Sequence, residues 1–211
     1  EQTGQPCTAC HVGGFGPQLT PFGRTFKEEA YAMRAGDSFT TPISAMVMAS
    51  YIHTATDQPP EPHFSANDNL VLDQASLFIA GGFGDHYGGF TQWTYDGIGR
   101  AFSWDNIDLR AATHETIGTS DVLLGVSLTN NPAIDDPWNT LPAWGFPYTS
   151  SDLVPAPDAG TLFDGGLAQS SLGVNVYALW DSSVYAQAGL YFSPGHNFLR
   201  AMGPDSADVD V

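Results

Sequence analysis

The stretch ISAMVMASYIHT, residues 43–54, sets the class of structure to expect. Ile43, Ala45, Val47, Ala49 and Tyr51 fall on one face, and Ser44, Met46, Met48 and Ser50 on the other. Strand side chains repeat every two residues and helical ones every 3.6, so this run reads as a strand with one apolar face. Similar segments follow at about 71–81, 89–97, 102–114, 120–130, 171–180 and 183–193. In VLLGVSLTNNP, Val122, Leu124, Val126 and Leu128 oppose Leu123, Gly125, Ser127 and Thr129; in WDNIDLRAATHE, Ile107 and Leu109 oppose Asn106, Asp108, Arg110 and His114. Turn residues at GGFGDHYGG (81–89) and TIGTSD (116–121) predict antiparallel hairpins. Two connections are long, at 55–69 and 131–168. The second carries Trp138, Trp144 and Phe146 among prolines and is expected to fold onto the protein.

About seven strands of this kind, alternating apolar and polar, match the pattern of an outer-membrane β-barrel. Trp93, Tyr95, Phe102, Trp104, Tyr177, Trp180, Tyr185, Tyr191 and Phe192 sit near predicted strand ends, where interfacial aromatic girdles lie. A soluble β-sandwich alternates in the same way, and the pattern alone leaves both open. The expected fold is mainly β: a short helical N-terminal segment over 1–41, then an antiparallel barrel-like or sandwich domain over 42–211, reading as an incomplete barrel.

Residues 1–41 follow different rules. PCTACH, residues 6–11, holds the only two cysteines of the chain, spaced C-x-x-C and followed by His11. This is the covalent haem-attachment pattern: the thiols of Cys7 and Cys10 add to the haem vinyl groups, and His11 ligates iron from the proximal side. A structural zinc site needs four ligands, and no second pair completes the set. A redox dithiol is expected between a strand and a helix, and no strand precedes this pair. The cofactor expected is one covalent haem c. Beyond the motif, Thr20 as N-cap, Pro21 in the first turn and Gly36 as terminator predict a helix over about 21–35. Phe22, Phe26, Ala30 and Met33 form its apolar face, available to cover the porphyrin or the next domain, with Arg24, Lys27 and Glu28 turned outward.

The 6 Lys and Arg against 23 Asp and Glu give a net charge of −17, which argues against nucleic-acid binding. No apolar run is long enough for a membrane-spanning helix. A start at Glu1 without Met reads as a processed or trimmed product, which is compatible with export.

The segments QPCTACHVGGFGPQLTPFGRTFK (5–27), DQASLFIAGGFGDHYGGFTQWTYDG (73–97), SWDNIDLRAA (103–112) and NNPAIDDPWNTLPAWGFPY (130–148) resemble the outer-membrane fused cytochrome–porins, in which a monohaem segment precedes a β-barrel. Through Cys7, Cys10 and His11 the resemblance implies single-electron transfer at or across the outer membrane of a Gram-negative bacterium, for some members from extracellular ferrous iron. The partners it implies are electron donor or acceptor proteins, extracellular iron and membrane lipid. Seven strands depart from the even number of a bacterial barrel. Either the barrel continues past Val211, or other chains close it, or the domain is a soluble sandwich.

Haem iron held by His11 takes either a second protein ligand or keeps an open face. Met33 leads the candidates for the distal position, followed by Met48 and Met46, then His53 and His114; Met202, His63, His86 and His196 complete the set. The alternatives to an outer-membrane electron carrier are a soluble periplasmic cytochrome subunit with a β-sandwich docking domain, and a haem enzyme with an open distal site.

Overall fold

The computed structural model describes residues 2–36, 40–144, 150–155 and 167–202. The N-terminal part holds α1 (Cys7–Cys10), a 3-10 turn (Val12–Gly14) and α2 (Pro21–Glu28). Seven strands follow: β1 (Ile43–Ile52), β2 (Asn69–Gly82), β3 (Tyr87–Asp96), β4 (Ala101–Ile117), β5 (Ser120–Thr129), β6 (Leu172–Trp180) and β7 (Val184–Phe192). Between β5 and β6 lie a second 3-10 turn (Pro132–Ile134) and α3 (Thr140–Trp144); α4 (His196–Met202) follows β7.

The chain is mainly β, and its strands form one antiparallel meander in sequence order from β1 to β7. The sheet is neither a closed barrel nor the two-layer sandwich held open as its alternative. In an up-and-down meander of seven, β1 and β7 run the same way, so no antiparallel pairing is available between them. The turns at 83–86, 118–119 and 181–183 share one end of the sheet. The 53–68 and 130–171 connections share the other with the 97–100 turn.

The sheet is polar on its inner side and apolar on its outer side. Ser76, Thr94, Asp108, Arg110, Ser127, Thr129 and Asn175 are buried, whereas Val47 is 70%, Val176 57% and Leu190 80% exposed. Leu77, Ile79, Leu109, Leu124, Val126, Leu128 and Val174 are exposed on the same outer face. A water-soluble sheet buries its apolar face. Two register shifts keep this division intact. One, between Gln92 and Trp93, leaves Asp105 unpaired, so that Phe102 and Trp104 point outward although their parity matches Asn106 and Asp108. The other, between Met48 and Ala49, leaves Asp73 unpaired in β2.

The N-terminal segment lies against the inner face. Gln2 bonds the β2 end through Gly82, Tyr31 donates to Asp108 of β4 and stacks near Phe90 of β3, and Tyr177 of β6 donates to the Glu28 carbonyl at 2.6 Å. The sheet therefore curls around this segment. Thr20 caps α2 as expected, accepting from the Gly23 amide at 3.2 Å. The helix ends at Glu28 rather than near 35, because Ala30 and Tyr31 both adopt left-handed conformations (φ 54° and 59°) that swing Tyr31 into the sheet. Met33 consequently lies beyond the helix and not on its apolar face. Lys27 and Glu28, expected to face outward, are buried. Their inversion follows from the sheet: its interior is polar, so the charged side of α2 turns toward it.

The described part of the long loop also folds inward, as expected. Ala133, Ile134, Asp135 and Pro137 are buried, and Trp138 meets Tyr185 edge-on at 5.6 Å. The Trp144 side chain and Phe146 lie outside the described residues.

Candidate functional site

Cys7 and Cys10 stand at the two ends of the single turn of α1, Cys7 exposed and Cys10 half-buried. The turn is held from both sides: His11 N–H donates to the Cys7 carbonyl, Thr20 N–H to the Cys10 carbonyl, and the Thr20 hydroxyl to Ala9. Gly23 of α2 presses so closely on Cys10 that a Cβ there would meet its carbonyl oxygen at 2.3 Å, so only glycine lets the two helices approach.

His11 leaves α1 in an extended conformation, and its loop is closed by a Val12 to Gln18 hydrogen bond and a bridge to Leu19. Its Nδ1 lies 2.9 Å from the Gly16 carbonyl oxygen. A carbonyl only accepts, so Nδ1 carries the proton and Nε2 keeps its lone pair for a metal. Such a second hydrogen bond fixes both the tautomer and the ring plane of a metal-binding histidine. At the tip of this loop Val12 and Phe15 are exposed, Phe15 by 68%.

These residues fit a covalently attached haem. Such a group would be held by the two thiols and by the imidazole at separate points, so the three side chains need not converge. Among the described residues no group of three or more His, Cys, Asp or Glu is arranged to hold a metal ion directly.

The candidates for the opposite face separate. Met46 and Met48, on the inner face of β1, and Val47, Ala49 and Tyr51, on the outer face, line with Phe15, Ser150, Ser151 and Val154 an open cleft of about 570 Å³ along the free β1 edge. His53 also lines it, from the outer-face register, with its Nδ1 held by Asp68 at 2.8 Å. That exposed Asp68 carboxyl is kept below its ordinary range by hydrogen bonds from His53 and then Tyr51. Met33, first among the sequence candidates, lies past the far end of α2 from Cys10, where its carbonyl accepts from Gln2. His114 is at the opposite end of the sheet, 3.1 Å from Asp121 and near Glu29. His86 gives Nδ1 to the Ala112 carbonyl.

Sequence reasoning missed a buried charged network beneath α2. Arg110 and Asp108, both with fully buried side chains, pair at 2.8 Å; Asp135 sits 3.5 Å from the same guanidinium. Asp135 also accepts from Ser127, Tyr191 and Gln187, tying β5 and β7 to the long loop. Burial lifts its carboxyl above the ordinary range, while Arg110 and the Tyr191 hydroxyl pull it back. Lys27 donates to the Ile134 carbonyl, to the Asp136 carbonyl at 2.8 Å and to Asn139 at 2.6 Å; Asn139 in turn donates to the Pro17 carbonyl. Burial, seconded by Arg110, lowers the Lys27 ammonium to about 8. The signal was present as Asp108 and Arg110 two apart on a wet strand face, but a polar strand face ordinarily meets solvent.

No protein-family model, curated protein or solved structure matches the chain.

Proposed function

We propose that the chain is a monohaem c-type cytochrome segment held within an outer-membrane β-structure, moving single electrons at or across that membrane. The observation that carries the reading is the His11 imidazole, set directly after C-x-x-C on a one-turn helix with Nδ1 committed to the Gly16 carbonyl and Nε2 left for iron. When bound, the haem supplies reversible one-electron iron chemistry. The residues do the rest: Cys7 and Cys10 anchor it, His11 ligates it, and Phe15 and Val12 offer apolar surface beside it.

The outer-membrane part of the reading is supported by the inverted sheet. An apolar exterior over strands of 9–17 residues suits lipid, and a polar interior suits a lumen filled by protein. Trp93 and Phe102 stack at 4.5 Å and Tyr95 lies 4.8 Å from Phe102, an outward aromatic cluster at one end, where a membrane interface would fall. Barrels carry short turns on the periplasmic side and long loops outside, so the 53–68 and 130–171 loops would face the exterior. Closure of the free β1 and β7 edges then requires further strands. The test is chemical: Cys7→Ala with Cys10→Ala, made in a host that matures c-type cytochromes, should lose covalent haem. Full covalent attachment in that double variant would end the proposal.

A further inference from the structure

We infer that Asn139 is a positioning residue for His11, holding from the long loop the short stretch of backbone that orients the imidazole; the inference rests on the haem reading above. The His11 Nδ1 bond ends on the carbonyl of Gly16. One residue further on, the Pro17 carbonyl accepts from the Asn139 side-chain amide at 2.9 Å, across 122 residues of chain. Between these two carbonyls the peptide bond is planar and the proline ring fixes φ, so a single free backbone rotation separates them. Proline brings no N–H, which leaves the Gly16–Pro17 peptide without a donor of its own to hold it, and Gly16 on the other side is free to turn. An anchor on the Pro17 carbonyl therefore restrains the Gly16 carbonyl, and with it the plane and tautomer of the imidazole.

Asn139 is itself fixed on every side. The Lys27 ammonium donates to its Oδ1 at 2.6 Å, and an ammonium only donates while a carbonyl only accepts. The amide thus has one orientation, oxygen to Lys27 and nitrogen to Pro17. The three protons of the buried ammonium are all used, on the Ile134 and Asp136 carbonyls and on Asn139. The Asn139 backbone is left-handed (φ 52°), a conformation asparagine tolerates better than most residues. Its N–H donates to the Asp136 carbonyl at 3.2 Å, and its own carbonyl accepts from Ala143 of α3 at 2.9 Å. The Asp136 carboxylate in turn accepts from the Trp138 and Thr140 amides. A rigid piece of the long loop, locked to α2 through Lys27, therefore meets the attachment loop at the residue next to the one that orients His11.

Two substitutions respect the left-handed backbone and separate positioning from simple anchoring. Asn139→Gly removes both side-chain bonds, and Asn139→Asp keeps an acceptor for Lys27 but turns an oxygen toward the Pro17 carbonyl. Nitrogen-15 NMR of the full chain made without haem should find the neutral His11 ring with its proton on Nδ1. In both variants the ring should become a mixture of tautomers, with the Nδ1 proton exchanging with water roughly fivefold faster, the factor of one ordinary hydrogen bond. In the haem-loaded protein the reduction potential should rise in Asn139→Gly, because an imidazole bonded less firmly at Nδ1 is a weaker base and favours ferric iron less. A tautomer and exchange rate in Asn139→Asp equal to those of the unmodified chain would mean that Asn139 serves only to hold Lys27, and overturns the assignment. An unchanged potential in Asn139→Gly overturns it as well. Absence of covalent haem from the unmodified chain is a different failure, that of the haem reading itself; the tautomer measurement needs no haem and still decides whether Asn139 holds the His11 ring.

Discussion

Lys27 carries a cost that only its surroundings explain. Its ammonium is buried, close to Arg110, and compensated by carbonyls and by Asp108, Asp135 and Asp136, which leaves its pKa at about 8 against an ordinary 10.5. Between those values the unfolded chain binds the extra proton and the folded chain does not, so stability rises with pH across that window. Below about pH 8 both states are charged and the burial cost is carried in full. The stability of the unmodified protein relative to Lys27→Met should therefore increase between pH 8 and 10.5 by up to roughly 3 kcal/mol. Denaturant unfolding in detergent at several pH values measures this; two parallel curves would mean that Lys27 is not desolvated. The same residue marks where sequence reading stopped. Lys27 and Glu28 on a short amphipathic helix ordinarily face water, and nothing local announces that the surface awaiting them is polar and buried.

Adjacent strands β5, β6 and β7 fit together by pairing bulk with glycine on the inner face. Gly125 lies opposite Tyr177, Gly173 opposite Tyr191, and Gly189 opposite Asn175. A Cβ at Gly125 would meet the Tyr177 ring at 2.1 Å. Tyr177 is not free to yield, since its hydroxyl bonds Glu28 and its ring lies 5.2 Å from the Arg110 guanidinium. Gly125→Ala should destabilise the protein by about 1–3 kcal/mol, the usual range for overpacking, while Gly84→Ala, where an added Cβ meets nothing within 4 Å, should change stability little. Equal melting temperatures for Gly125→Ala and the unmodified protein would contradict this packing. The strands themselves were legible: period-two runs located all seven and divided the faces of β1, β5 and the 107–114 part of β4, because alternation is a local property. The register shifts at Asp73 and Asp105 were not, since an unpaired residue is defined by the neighbouring strand. Nor was the end of α2, which Tyr31 sets through a bond to Asp108, 77 residues away.

The inverted sheet makes opposite demands on its two sides. Val176 sits near the middle of β6 on the apolar outer face, flanked across the ladder by Val126 and Ala188. If that face meets lipid, Val176→Arg should cost about 2–4 kcal/mol in bilayers; in a water-facing sheet the same change would be neutral or would improve solubility. Folding into lipid vesicles distinguishes the two. The C-x-x-C-H spacing of Cys7, Cys10 and His11 stands in the sequence alone, whereas the loop that holds the imidazole against the Gly16 carbonyl needed the folded chain. A haem covalently held by this segment is revealed by acid–acetone extraction of the full chain purified from a host that matures c-type cytochromes. One haem per chain should stay with the protein and give a c-type haemochrome spectrum. Protein left without haem after extraction would contradict it.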